Sequence, residues 1–284
     1  MNFDVIIVNY RSHEPLTVCL ASLFNQNAGE IAKVYVVDNS PESIPPDIKA
    51  AYPGVMFLEN SQNLGFAKAV NQALALSHAP FVCLLNPDTV IKGPLLRHFY
   101  VFFQREMAAG IAGPLILDSN GSIQGSARAF PSLATAFFGR TSVLSRLLPN
   151  NPMTSKEILS RRNISAPIEV DWVSGACMGV RRQAIEEVGL MDERFFLYWE
   201  DCDWCTRFKR YGWGVFYLPQ AGPVVHHAGL ASRQARWLSN YHFHRSAWLL
   251  YKKYDTSPAR FLSGIALAGA VVRWSILSLR LLWR

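Results

Sequence analysis

Cysteine is sparse and irregularly placed in this 284-residue chain. Cys19, Cys83, Cys177, Cys202 and Cys205 form an odd set without a repeated spacing, which argues against a disulfide framework. Cys202 and Cys205 make a Cys-x-x-Cys pair with no second pair beside it, so a core contact is a better reading than zinc or redox chemistry. The opening Met1-Asn2-Phe3-Asp4 lacks the basic stretch of a secretory signal and runs directly into apolar residues. Both absences point to the reducing cytoplasm. Zinc-finger spacing and RNA-binding aromatic signatures are missing too, which excludes the common nucleic-acid modules.

What is present is apolar and basic. Half the residues are hydrophobic and 12% are aromatic, enough for a large core and too many for a disordered chain. The net charge is +7, which suits an anionic membrane or a phosphate-rich substrate. The basic residues gather toward the C-terminal third, where the chain also becomes apolar, and that pairing favours a membrane surface.

Asp4 to Val8 is a β-branched run that reads as a buried strand ending at Asn9-Tyr10. Pro15 to Phe24 places Leu16, Cys19, Leu20 and Leu23 on one helical face. Lys33 to Val37 predicts a second strand ending at Asp38-Asn39-Ser40, and Val55 to Glu59 a third. Phe66 to Leu76 predicts a helix, and Pro80 to Leu85 a fourth strand ending at Asn86-Pro87-Asp88. The alternation predicts an α/β fold, a mostly parallel Rossmann-like sheet with helices on both faces. Ligands of such sheets bind beyond the carboxyl ends of the strands, where Asn9, Asp38-Asn39 and Asn86-Pro87-Asp88 fall. After Ile111-Ala-Gly-Pro114 the pattern loosens. Asp118 to Gly121 predicts a hairpin turn, Phe137 to Ser165 loops or small helices, and Val170 to Val180 a strand-like region. Arg181 to Val188 and Glu200 to Tyr211 predict helices.

Five groups of residues carry chemistry. Asp38 at a strand end can accept the imide N–H of uracil or thymine, although Asp-Asn-Ser is also good turn chemistry. In Asn63-Leu-Gly65-Phe-Ala-Lys68, glycine permits close backbone approach and the helix start with Lys68 suits an anion. An ordinary helix start capped by Asn63 fits the same residues. Asp88 offers an oxygen to Mg2+ or Mn2+, or belongs to a turn that Asn-Pro-Asp favours in any case. The densest group runs from Gly189 to Arg207. There, aromatic residues ending in Trp199 precede Glu200, Asp201 and Asp203, an arrangement suited to deprotonating a hydroxyl, while the same acids also complement a helix dipole. His226 and His227 follow an apolar run and can serve metal or phosphate.

Val5-Ile-Ile-Val-Asn-Tyr10, Val36-Val-Asp-Asn-Ser40, Asn63-Leu-Gly-Phe-Ala67 with Asn71, and Leu84-Leu-Asn-Pro-Asp88 occur in that order. Gly175-Ala176, Phe195-Phe-Leu-Tyr-x-Glu-Asp-x-Asp203 and His226-His-Ala-Gly229 follow. The ordered set resembles the inverting family 2 glycosyltransferases of the GT-A fold. More narrowly, it resembles bacterial rhamnosyltransferases that use dTDP-rhamnose to build cell-surface polysaccharide. The resemblance implies a nucleotide-sugar-binding half over 1–115, an acceptor-binding half over 116–232 merged with it, and C-terminal helices over 233–284. Asp38 would hold the nucleobase, with Asn9, Tyr10, Asn39, Asn63, Gly65, Lys68 and Asn86 around the donor. Asp88 would be the metal-binding member of the family's Asp-x-Asp element, and His226 would help hold Mg2+ or Mn2+ or the diphosphate. Asp201 would be the general base and Glu200 would orient acceptor or base. Trp172, Trp199, Asp203 and His227 would meet acceptor or phosphate. Asn86 stands where the element often begins with Asp, so the metal would be held mainly through the donor diphosphate.

The implied partners are a nucleotide diphosphate sugar, dTDP-rhamnose foremost, and a glycan or lipid-linked acceptor. A different donor such as a UDP-hexose is the alternative. A non-catalytic membrane scaffold with a relic nucleotide fold is a further one, but it predicts loss of Asp38, Asp88 and Asp201, all of which are present. A sugar-nucleotide pyrophosphorylase would need glycines that Asn9-Tyr-Arg-Ser-His-Glu14 lacks. From Phe261 to Arg284, Arg273, Arg280 and Arg284 fall on one helical face and Leu, Ile, Val and Trp on the other. Arg273 interrupts the apolar run well short of the about 20 residues of a spanning helix. The pattern fits a helix lying in the cytoplasmic interface of the inner membrane, with packing on the domain or a dimer contact as the other possibilities.

Overall fold

Phe-Asp-Val-Ile-Ile-Val-Asn forms β1 (Phe3–Asn9), buried at every position, as a strand covered on both faces must be. The computed structural model describes residues 2–130, 159–161, 164–227 and 236–254. Strands β2 (Ile31–Asp38), β3 (Val55–Glu59) and β4 (Phe81–Leu85) extend the sheet around β1, each join parallel. The crossovers contain α1 (His13–Asn27), α2 (Pro46–Ala51) and α3 (Phe66–Leu74). This is the alternation expected from the sequence.

The second half adds β5 (Thr89–Ile91), α4 (Leu95–Arg105), β6 (Ala109–Pro114), β7 (Ile116–Leu117) and β8 (Ala127–Arg128). After these come β9 (Ile168–Glu169), β10 (Trp172–Val173), β11 (Cys177–Arg181) and α5 (Arg182–Val188). The described chain closes with α6 (Glu200–Arg210), β12 (Gly214–Leu218), β13 (Val224–His226) and α7 (Arg236–Tyr254). The main sheet has the order β3-β2-β1-β4-β11-β6-β12-β9, beside small sheets β5-β13-β7 and β8-β10. Strand β11 enters between β4 and β6 and is antiparallel to both. Parallel pairing therefore dominates the first four strands, and the direction changes where the second half is woven in.

Alternation along β1 divides the core into two layers. Phe3, Val5 and Ile7 face α1 and α4, meeting Leu16, Leu20, Leu23, Phe99 and Phe103. Ile6 and Val8 face the opposite layer, with Val70 of α3, Ile185 of α5 and Trp204 and Phe208 of α6. Each large apolar side chain so buried contributes about 1.5–3 kcal/mol. All five cysteines are free and buried, and Cys202 and Cys205 sit in the core on α6, consistent with the core-contact reading.

Three sequence expectations change in detail. The Val170–Val180 region is two strands, not one. Ser174-Gly175-Ala176 turns the chain from the small sheet with β8 into the main sheet, with the Ser174 N–H bonded to the Ser126 carbonyl at 2.8 Å. Helix α1 is longer than Pro15–Phe24, and α3 ends at Leu74. The turn at Asp118–Gly121 forms, closed by the Gly121 N–H to the Asp118 carbonyl at 2.8 Å. Most of Phe137–Ser165 and all of Phe261–Arg284 lie outside the described residues.

Candidate active site

The carboxyl ends of β1 and β2 meet at a buried polar corner. Asp38 is only 1% exposed. Its Oδ1 accepts from Asn9 Nδ2 at 2.9 Å, Ser40 N at 3.1 Å and Ser40 Oγ at 2.6 Å. Among the described residues its Oδ2 faces only His13 Nε2, at 3.5 Å. Asn9 is fully buried, and its Oδ1 has no partner among the described residues. Such an orphaned acceptor is costly unless a ligand supplies a donor. One carboxylate oxygen and one amide oxygen thus face the rim with capacity to spare. Tyr10 is half-buried beside this corner, with the Arg11 guanidinium 5.6 Å from its ring centre.

Asn39 links this corner to the start of α3, its Nδ2 donating to the Gly65 carbonyl at 3.2 Å. Gly65 has φ +84° and ψ 169°, a region open essentially to glycine alone. The sequence expectation for this glycine was approach by a ligand. Its close neighbour is the chain itself: a Cβ here would stand 2.6 Å from the Phe196 carbonyl oxygen, which accepts the Phe66 N–H at 2.8 Å. Asn63 caps the turn through Oδ1 to the Gly65 N–H at 2.9 Å. Lys68 is exposed on the first turn of α3. Gly65 therefore locks the loop that leads into α6, while the neighbouring Lys68 stays available to an anion.

Asp88, Asn86 and His226 form the third group. The antiparallel register of β13 against β5 pairs His226 with Thr89 and so brings the imidazole to Asp88. His226 Nε2 lies 3.2 Å from Asp88 Oδ1 and 3.4 Å from Asn86 Nδ2. Gln124 fixes the ring. Its Nε2 donates to Asp118 Oδ1 at 2.7 Å, leaving Oε1 to accept from His226 Nδ1 at 3.0 Å. Nε2 then either carries a proton toward Asp88 or offers its lone pair to a cation shared with Asp88. Adjacent ligands of an octahedral Mg2+ stand about 3 Å apart, so the Asp88–His226 spacing suits two such positions. Among the described residues no group of three His, Cys, Asp or Glu surrounds one point. His227 points elsewhere, its Nδ1 2.9 Å from Ser119 Oγ, though its N–H holds the Asp88 carbonyl at 2.9 Å.

The acidic pair opens α6. Tyr198 and Trp199 hold left-handed φ values of 68° and 69°, strained for side-chain-bearing residues and found where a site fixes its geometry. Asp201 Oδ2 accepts the Gly175 N–H at 2.9 Å and Oδ1 the Cys202 N–H at 2.8 Å. Burial pushes the Asp201 carboxyl above its ordinary range, against the lowering effect of these two N–H bonds and of Arg128. Glu200 is 7% exposed and its Oε2 has no partner among the described residues; burial, then the Asp201 charge, holds its carboxyl well above the usual range. The Trp199 indole N–H is likewise buried without a partner. Trp172 lies 6.1 Å from Trp199, ring centre to ring centre, making an aromatic wall beside the acids. The Ala176 carbonyl accepts the Asn86 N–H at 2.9 Å, tying this group to Asp88.

Asp203 does not join the rim. Its side chain is 0% exposed, and its oxygens meet Arg207 Nε at 3.0 Å, Lys253 Nζ at 2.6 Å and Tyr254 Oη at 2.7 Å. It fastens α7 to α6 and has no opening toward acceptor or phosphate. Helix α7 also backs the strained loop. His242 stacks on Phe196 at 4.2 Å, Phe243 meets Trp199 at 5.4 Å, and Ser246 Oγ donates to the Leu197 carbonyl at 2.9 Å. Sequence reading missed Gln124, His242, Ser246 and Lys253. Asn71 appeared only within a motif, yet its amide clamps Met191 through bonds of 2.9 and 3.0 Å.

Comparison with known proteins follows the same lines. The family description "Glycosyl transferase family 2" matches residues 4–189. An "N-acetylglucosaminyl-diphospho-decaprenol L-rhamnosyltransferase" of Mycobacterium tuberculosis is 34% identical over 236 residues, 78% of this chain and 75% of that protein. A "dTDP-rhamnosyl transferase RfbF" of Shigella flexneri is 26% identical, covering 80% of this chain and 70% of the relative. Among solved structures, GalNAc-T7 with UDP, GalNAc and Mn2+ is similar in fold, with a TM-score of 0.61 at 15% identity over 80% of this chain. This chain spans 44% of that structure's length.

Proposed function

The chain belongs to glycosyl transferase family 2, and we propose that it moves rhamnose from dTDP-rhamnose, with inversion, to a hydroxyl of a glycan or lipid-linked acceptor in cell-surface polysaccharide synthesis. The observation that carries this reading is the meeting, on one rim, of the Asp38 corner, the Asp88–His226 pair and Asp201 beside its tryptophan wall. The names of the two rhamnosyltransferase relatives support the sugar; the Shigella name supports the dTDP carrier, and the Mycobacterium name supports a lipid-linked acceptor.

In this reading Asp38 and Asn9 receive the thymine imide. The Gly175 and Cys202 N–H groups aim the Asp201 carboxylate, each of whose oxygens keeps a lone pair free. Asp201 takes the acceptor proton as the acceptor oxygen attacks the anomeric carbon, and the nucleoside diphosphate leaves from the opposite face. Trp172 and Trp199 line the apolar side of the sugar, and the unpartnered Trp199 N–H and Glu200 Oε2 hold its hydroxyls. Asp88 and His226 would hold Mg2+ or Mn2+, which supplies positive charge to the departing diphosphate. Lys68 adds a second positive charge nearby.

Calorimetry with dTDP-rhamnose, UDP-galactose, UDP-glucose and GDP-mannose, with and without Mg2+ or Mn2+, tests the donor. dTDP-rhamnose is expected to bind tightest and to need the cation. Preference for another donor would remove the rhamnosyl assignment, and no binding by folded protein would favour the scaffold reading. No helix among the described residues is long and apolar enough to cross a membrane. The basic, apolar 261–284 segment supports peripheral attachment to the cytoplasmic face of the inner membrane. Deleting that segment is expected to move the protein from the membrane fraction to the supernatant; an unchanged distribution would defeat the idea.

A further inference from the structure

We propose that Lys253 of α7 is a positioning residue for the transfer reaction, neutralising Asp203 on the helix that carries Asp201 and so keeping the base in its ionised, proton-accepting form. The inference rests on the reading of Asp201 as general base. It gives a catalytic part to a helix that the sequence motifs do not reach.

Three carboxylates, Glu200, Asp201 and Asp203, open α6 within one turn. Like charges so placed oppose one another's ionisation. Asp203 is the one with no route to water, so its charge is held by protein groups alone. Lys253 Nζ sits 2.6 Å from Asp203 Oδ1 and 2.7 Å from Asp192 Oδ2, bridging α6 and the loop before it. Well-packed apolar residues could fasten the two helices at little or no cost, so the ionic form of this contact points to its electrostatic reach. The Asp203 charge is among the causes that raise the titration of Glu200, after burial and the Asp201 charge, and losing Lys253 would leave more of that charge unmatched.

The surrounding charges are few. Facing Asp201 are Glu200 on its own helix and Arg128 from β8. Facing Asp203 are Arg207 on α6, Lys253 and Tyr254 on α7, and Arg194 on the preceding loop. Arg194 is committed to Asp192 at 2.6 Å. Arg207 is further bonded to the Val188 and Leu190 carbonyls, whereas Lys253 makes ion pairs only with carboxylates, Asp203 and Asp192, among the described residues, so Lys253 is the cation to alter.

The sign follows directly. Without the Lys253 charge the ionised form of Asp201 is disfavoured, its titration moves up, and the acid limb of the rate moves to higher pH. The test measures nucleoside diphosphate release, with water as acceptor, from whichever donor of the panel binds tightest, across pH 5–9 (on the order of the window that brackets a raised carboxyl). Lys253→Met is expected to shift the acid limb of kcat upward by roughly 0.5–1 pH unit, the scale of removing one indirectly acting charge in a partly buried setting. At a pH below the limb this reads as about a 3–10-fold loss, closing at high pH. Lys253→Arg keeps the charge and is expected to restore the wild-type limb, with donor Kd unchanged in both. Tyr254→Phe, a milder change that keeps every cation, is expected to move the limb in the same direction by less, and it serves if Lys253→Met does not fold. A rate lowered by one factor at every pH, or an unmoved limb, would overturn the proposal and reduce Lys253 to a structural fastener. Asp201→Asn is measured alongside. Retained turnover there removes the general-base reading itself, whereas lost turnover with an unmoved Lys253→Met limb removes only the role of Lys253.

Discussion

Asp201→Asn is expected to lower turnover by about 10²–10⁴-fold, the usual worth of a general base, with donor affinity near that of the wild type. The substitution is nearly isosteric. Its amide oxygen can still accept one of the two N–H groups, from Gly175 or Cys202, that the carboxylate now holds. The other N–H is left facing an amide NH2, at a cost of about 1–3 kcal/mol in stability. Relief of the repulsion with buried Glu200 offsets part of that cost, because burial and the Asp201 charge both hold Glu200 above its ordinary titration range. The variant should therefore fold, bind donor and fail to transfer. Turnover and donor calorimetry on the same preparation check the split, and near-normal turnover would sink the assignment of Asp201.

The second large effect is on stability. Gly65→Ala places a Cβ 2.6 Å from the Phe196 carbonyl oxygen and 2.8 Å from the Phe196 ring, at a backbone conformation that costs a side-chain-bearing residue about 1–3 kcal/mol. The ring has little room to retreat, because His242 stacks on it at 4.2 Å. Overpacking adds about 1–3 kcal/mol, so the total is about 2–6 kcal/mol and the melting temperature should fall by about 5–20 °C. Since Phe196 belongs to the loop that feeds Asp201 into place, catalysis should suffer more than donor binding at a temperature where the variant is still folded. A melting temperature equal to that of wild type would show that the loop gives way freely and that Gly65 does not lock it.

Strands β1, β2 and β4 were legible because each is buried along most of its length on both faces and so appears as an apolar run ending at a polar residue, while β3, partly exposed at the sheet edge, still shows the apolar run Val-Met-Phe-Leu. That reading also placed Asp38 and Asp88, since the end of a strand determines the rim on which its next residue stands. Less could be read where tertiary contacts outweigh local pattern. Val170–Val180 looks like one strand because the break at Ser174-Gly175-Ala176 is set by where β8 and β4 lie. Asp203 carries the same local signature as Asp201, two positions away on one helix. Only the arrival of Lys253 and Tyr254 from some 50 residues later marks Asp203 as a fastener and sets it apart from Asp201, the proposed base. Helix α7 shows no clean apolar stripe because aromatic and polar residues alike contact the loop that precedes α6. Gln124 reaches His226 from 102 residues away, a separation that no local pattern encodes.

The weaving of β11 and β12 around β6 bears on how members of this family can be recombined. Both sheet neighbours of β6 come from later in the chain, so a cut near Leu115 would leave the N-terminal piece with a strand bare on both edges and an uncovered edge on β4. Such edges invite pairing with other chains. A chimera meant to exchange acceptor choice while keeping donor choice must therefore carry β6, β11 and β12 from one parent. The interchangeable parts are the loops that join them, and the natural seam lies within the rim, not between the halves.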